Sequence, residues 1–138
     1  MSRVSQVLSP ALRDRKDITV IKGNNGYFYV ESVTDEWIYW GFPVQVEQRR
    51  VIDAIEVEIF GAEIEAGGYI GATYYTAGES HPIEEFASPF GTQGAWSRIA
   101  FTKNDIWITD EPRTYWITLK TKSTRGENFR VGSINVVY

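Results

Sequence analysis

The sequence predicts an all-β protein, an antiparallel β-sandwich preceded by a short N-terminal helix, and three observations predict it. Aromatic residues make up 14% of the 138 residues, with five Trp and eight Tyr, and such large flat side chains suit the pleated surface of a strand. Apolar and polar residues alternate at period two, most cleanly where Ile55, Val57 and Ile59 interleave with Glu56 and Glu58. Gly, Asn and Pro punctuate the runs at short intervals and leave about nine to ten strands, the number that two packed sheets require.

The elements follow in order. At residues 2–14, Val4, Leu8, Ala11 and Leu12 fall about one helical turn apart and Ser2 can cap the start, which predicts a helix kinked by Pro10. Residues 1–16 are therefore expected to form a helical anchor segment and residues 17–138 the sandwich domain. Runs at 18–21 and 27–33 flank Lys22, Gly23, Asn24, Asn25 and Gly26, a hairpin signal because Gly and Asn tolerate positive φ. Residues 37–46 predict an aromatic strand pair interrupted at Gly41, Phe42 and Pro43, with the proline marking an edge or a bulge.

The strand at 53–60 places three branched residues on one face and two carboxylates on the other. Gly67 and Gly68 precede a strand at 69–76. Residues 77–94, with Gly78, His81, Pro82, Pro89 and Gly91 spread through them, predict a long loop, the kind of segment on which compact domains carry function. Strands are expected at 95–101, 106–109, 114–120 and 129–138. The polar stretch 121–128 predicts that the last two form an antiparallel hairpin.

Charge and composition narrow the function. A net charge of -4 and a pI near 5.0 argue against nucleic acid as a partner, because phosphate contacts draw on clustered Lys and Arg. The chain has no cysteine, so disulfides, thiolate nucleophiles and zinc–thiolate sites are excluded. No stretch approaches the roughly 20 apolar residues of a membrane span, and the first 11 residues do not read as a secretion signal. No membrane partner is expected.

Catalytic and metal motifs are missing. His81 is the only histidine, no Gly-x-Ser-x-Gly accompanies it, and sites built on two or three histidines are ruled out. No acidic calcium loop and no glycine-rich phosphate loop occur. A glycosidase needs two facing carboxylates, but Glu84, Glu85, Asp105, Asp110 and Glu111 fall in turns, and Glu56, Glu58, Glu63 and Glu65 read as the solvated sides of strands. The expectation is a non-enzyme with no catalytic residues, no cofactor and no metal.

The aromatics remain. Trp37, Tyr39, Trp40, Tyr74, Tyr75, Trp96, Trp107 and Trp116 exceed what one small core absorbs, and an exposed indole or phenol is a stacking platform for a sugar ring. The candidate ligand-binding residues are Trp37, Trp40, Tyr74, Tyr75 and Trp96, together with His81 in the expected loop.

The C-terminal run from Asp110 through Thr114, Tyr115 and Trp116 to Lys120, and the closing run from Phe129 through Gly132 and Ile134 to Tyr138, resemble the last hairpin of β-sandwich modules in bacteriophage tail fibres and tailspikes and in secreted bacterial surface proteins. Residues 51–60, after Gly41, Phe42, Pro43 and Val44, are similar to the early strand pair of those modules. The resemblance covers residues 37–138. It implies a jelly-roll-like sandwich, a homo-oligomer with a trimer favoured, and contact with a cell-surface polysaccharide and with other virion proteins, at the tail or capsid surface. Two further functions stay open: a structural capsid-decoration or tail-assembly protein anchored through residues 4–12, and a small carbohydrate-active enzyme using Glu84, Glu85 or Asp110.

Overall fold

A computed structural model describes residues 2–13, 20–24, 26–30, 37–47, 50–61, 67–87, 92, 94–103, 113–122 and 129–138. Among them run eleven strands: β1 (Arg3–Gln6), β2 (Ala11–Arg13), β3 (Val20–Lys22), β4 (Phe28–Val30), β5 (Trp37–Val44), β6 (Ala54–Gly61), β7 (Tyr69–Thr76), β8 (Glu79–Ala87), β9 (Ala95–Phe101), β10 (Thr114–Lys122) and β11 (Arg130–Val137). Every pairing is antiparallel. One sheet has the order β3-β4-β11-β6-β9, with β1 also paired to β11, and the other has the order β2-β5-β10-β7-β8.

Strict alternation makes the sandwich. Along β5 the inward side chains are Ile38, Trp40, Phe42 and Val44, along β6 Ile55, Val57 and Ile59, and along β10 Tyr115, Ile117 and Leu119, all buried. They join Ile70, Phe101, Val131, Ile134 and Val136 in one core between the sheets. Removing each such side chain from water contributes about 1.5–3 kcal/mol. Two polar groups that reach the core are hydrogen-bonded: the Trp40 indole N–H donates to Thr121 Oγ1 at 3.0 Å, and Asn135 Oδ1 accepts from Ser5 Oγ at 2.5 Å.

The expected N-terminal helix is not formed. Residues 3–6 pair with β11 and residues 11–13 pair with β5, so one edge of each central strand takes up the segment. Four apolar residues at helical spacing are a weak signal for a segment with a mid-run proline, and two strands with open backbone N–H and C=O groups outcompete it. The segment is tied down further where Gln6 bonds both the backbone N–H and C=O of Gln45, and where Ser2 and Tyr138 exchange backbone hydrogen bonds.

The expected long loop at 77–94 is also corrected, because β8 fills much of it. Thr76 and Glu79 are paired across Ala77 and Gly78, whose φ values of 49° and 83° make a two-residue hairpin turn with positive φ at both positions. Pro82 is tolerated because β8 is an edge strand, and a register shift opposite Ala72 and Thr73 scrambles the alternation that would have revealed the strand.

Two smaller expectations change. Residues 37–44 form one continuous strand, not an interrupted pair; β2 covers only residues 39–41 of β5, so Pro43 lies where that edge is uncovered. The last two strands are not a hairpin, since β10 and β11 belong to opposite sheets. The expected strand at 106–109 lies outside the described residues. The 22–26 turn is borne out: β3 and β4 pair, and the Gly23 N–H donates to the Tyr27 carbonyl at 2.8 Å. Among the described residues no helix is long and apolar enough to cross a membrane.

Candidate functional site

The two outer faces of the sandwich differ. On the five-stranded face the register aligns residues in rows that cross the strands. Ala11, Gly41, Thr118 and Gly71 stand side by side in one row, which reaches Glu85 on β8. Two glycines flanking a threonine leave that row low. On one side rises the row Tyr39, Lys120, Tyr69, and on the other Pro43, Trp116, Thr73.

The result is a transverse groove holding about 520 Å³, lined by Tyr39, Trp40, Gly41, Tyr69, Tyr75, Trp116, Thr118 and Leu119, with Ala11 and Leu12 at the β2 end. A side chain at Gly41 would press on the Trp116 ring, with its Cβ only 3.2 Å from the nearest ring carbon. Glycine is therefore what lets the indole lie across β5. Among the described residues no ionised side chain lines the groove. Lys120 stands in the wall row, but its Nζ is 4.6 Å from the centre of the Trp37 ring and 5.8 Å from that of Tyr39.

On the six-stranded face the row Arg130, Phe60, Trp96 crosses β11, β6 and β9. Trp96 is 46% exposed, yet its orientation is held. The Phe60 ring meets it edge-on with centroids 5.7 Å apart, Tyr27 lies 6.2 Å away, and a Cβ at Gly132 would come within 3.0 Å of the indole. Arg130 stacks its guanidinium over Phe60 at 4.4 Å and over Tyr27 at 5.0 Å.

Two adjoining hollows share Trp96 and Glu58 as a common wall. One, of about 360 Å³, is lined by Val7, Gly26, Tyr27, Arg130, Gly132 and Ser133 as well. The other, of about 320 Å³, adds Ser97 and Arg98. Beside them runs an ion-paired strip in which Arg3 meets Glu56 at 2.9 Å and Arg98 meets Glu58 at 3.3 Å.

The expected ligand residues thus separate. Trp96 stands at the hollows, Tyr75 lines the groove, and Trp37 lies behind the groove's Tyr39 wall. Trp40 also borders the groove, but it is 3% exposed and its ring packs on Phe42 and Phe129, so it offers no stacking face. Tyr74 also turns inward, towards Tyr115. His81 stacks on Tyr74 at 4.7 Å and shares a hydrogen bond with Thr76 Oγ1 at 3.1 Å, away from both faces described above. Tyr27, Gly41, Tyr69 and Gly132 were not anticipated, because cross-strand register brings them together and no local pattern encodes it.

Among the described residues no carboxylate lines the groove, and Glu58, paired with Arg98, is the one that lines the hollows. Glu84 accepts the Thr102 backbone N–H at 2.9 Å, and Glu85 is exposed on β8. Asp105, Asp110 and Glu111 lie outside the described residues. Among the described residues no group of three or more His, Asp or Glu side chains gathers as a metal site would require.

No protein-family model matches the sequence, and no curated protein matches it. Solved structures do share the fold. The C-terminal family 6 carbohydrate-binding module of a marine laminarinase from Zobellia galactanivorans superposes with a TM-score of 0.54 at 16% identity, over 99% of this chain and 100% of that one. The enzymatically active domain of tailspike protein 4 from bacteriophage CBA120 gives 0.57 at 10% identity, over 95% of this chain and 19% of that one. The isomaltodextranase of Arthrobacter globiformis T6, complexed with panose, gives 0.51 at 16% identity, over 98% of this chain and 23% of that one. These likenesses establish the β-sandwich.

Proposed function

We propose that this chain is a non-catalytic carbohydrate-binding module that recognises a polysaccharide at a cell surface, with Trp96 as its principal platform. The observation that carries the reading is the indole itself. It is nearly half exposed on a sheet face, yet fixed by Phe60, Tyr27 and Gly132, so that ordering it costs a ligand little. A pyranose has an apolar C–H face for the ring and hydroxyls around its rim. Glu58 can accept from those hydroxyls, and Ser133, Arg98 and Arg130 can donate to them. The similarity to a carbohydrate-binding module and to an isomaltodextranase holding panose supports the same reading.

Absence of a second facing carboxylate in the hollows, among the described residues, favours binding over hydrolysis. A broad glycan array is the direct test. Retention of a defined set of glycans, lost in Trp96→Ala, is the expected result; no retention by the intact protein overturns the proposal.

A second reading places the module in a phage particle, as an oligomer, with a trimer favoured, that contacts other virion proteins. Its support is the superposition on a tailspike domain. Light scattering at micromolar concentration tests it, with a trimer expected and a strict monomer counting against it.

A further inference from the structure

We propose that the Trp96 site selects acidic polysaccharides, taking a uronate residue whose ring lies on the indole and whose carboxylate meets the Arg130 guanidinium. The inference rests on the Trp96 reading and names the class of glycan that the same site takes. The charge of this face, the way its glutamates are held and the place of Arg130 beside the indole carry it.

The face runs against the charge of the chain. Among the described residues, the ionised side chains on the outward rows of β1, β6, β9 and β11 are Arg3, Arg98 and Arg130 against Glu56 and Glu58, three positive to two negative in a chain of net charge -4. The two carboxylates are already met. The Glu56 side chain is 13% exposed and lies 2.9 Å from Arg3 and 3.9 Å from Arg98, and Glu58 accepts from Arg98 at 3.3 Å. Neither glutamate presents an unscreened negative charge to a ligand on the indole.

Arg130 stands in the row of Phe60 and Trp96, and Arg98 in the row of Glu58, so a guanidinium flanks the indole on either side. Between Val131 and Ile134 the register shifts, and Gly132 and Ser133 together stand opposite Glu58. Bulges of this kind re-aim side chains. This one leaves Gly132 under the indole and brings Ser133 into the hollow that Arg130 lines. Arg130 is itself oriented, with its guanidinium over Phe60 at 4.4 Å and over Tyr27 at 5.0 Å. A stacked guanidinium aims its N–H fork along its own plane, and that fork matches a carboxylate in two parallel hydrogen bonds.

A uronate carries its carboxylate on the rim of the ring, beside the apolar C–H face. With that face on the indole, the carboxylate reaches sideways into the hollow of about 360 Å³ beside Arg130, and hydroxyls on the opposite rim meet the Arg98–Glu58 pair. A neutral hexose stacks equally well but forgoes the charged contact.

Calorimetry on the whole chain tests this with oligogalacturonate, oligoalginate and hyaluronan oligosaccharides, each beside its carboxyl-reduced form, which keeps the ring and loses the charge. The expected result is binding of at least one uronate, weakened about tenfold or more when its carboxylates are reduced. Added salt should weaken the uronate and leave the reduced form unchanged. Arg130→Gln and Arg130→Met should bring the two forms to the same affinity; the methionine keeps an apolar stem over Phe60 and stands if the glutamine variant misfolds. Trp96→Ala should abolish binding of both forms.

A reduced form that binds as tightly as its uronate, or a preference that survives both Arg130 variants, overturns the inference and leaves the Trp96 reading standing. Uronate binding that survives Trp96→Ala overturns both. Tighter binding of carrageenan oligosaccharides than of any uronate would show that a sulfate ester is the anion taken, which overturns the assignment to uronates. No binding of any uronate, with a neutral glycan retained on the array through Trp96, overturns the inference alone; no glycan of either kind bound overturns both.

Discussion

The two outer faces of this sandwich use the same device to different ends. Each seats a tryptophan over a glycine, Trp116 over Gly41 and Trp96 over Gly132. On the five-stranded face the indole becomes one wall of a trough lined mainly by aromatic rings. On the six-stranded face it stands beside a strip of alternating Arg and Glu. The difference teaches that an outward row on a strand has no fixed meaning: glycines in neighbouring strands hollow it into a groove, whereas opposed charges across strands make it a solvated surface.

The largest expected effect comes from the core that both faces share. Ile117 is fully buried beneath the groove, and Ile117→Ala should destabilise the fold by about 2–5 kcal/mol in urea denaturation. Glycan binding by the folded fraction should persist; loss of binding at full stability would break the separation between core and faces. Next comes Asn135→Ala, which removes the buried acceptor of Ser5 and should cost about 1–3 kcal/mol. It should leave the groove untouched, since Asn135 belongs to the other sheet.

The glycines sharpen the comparison most directly. Gly132→Ala drives a methyl to within 3.0 Å of Trp96, and Gly41→Ala to within 3.2 Å of Trp116. Gly132→Ala should weaken glycan binding by about 1 kcal/mol, several-fold in Kd, and Gly41→Ala should spare it. Equal losses from both would show that the two faces are not independent. The smallest effect is expected on the charged strip, where the Arg3 and Arg98 guanidinia are about half exposed. Glu56→Gln should change stability by less than about 1 kcal/mol, and by less still at high salt.

Legibility in the sequence followed the range of the interactions. The alternations in β6 and β10 are local, and both inward faces were readable in advance. The hairpin between β3 and β4 was readable too, because Gly26, with its φ of 77°, reports its own backbone need. β8 was missed because its register shift and Pro82 disturb the period-two signal, and β1 and β2 because their partners are more than a hundred and nearly thirty residues away, respectively. The candidate site was half legible: Trp96 and Tyr75 stood out as surplus aromatics, but Trp40 and Tyr74 looked the same and turned inward.

By itself, then, the sequence determined that this is a cysteine-free β-protein, which strand faces are apolar, and that it carries more aromatic rings than a core of this size needs. Only the tertiary structure decided which rings reach the surface and which residues stand beside them. Strand order and register are fixed by the summed burial of both sheets, a long-range quantity. The rows Ala11–Gly41–Thr118–Gly71 and Arg130–Phe60–Trp96 exist only once that sum has chosen a single pairing.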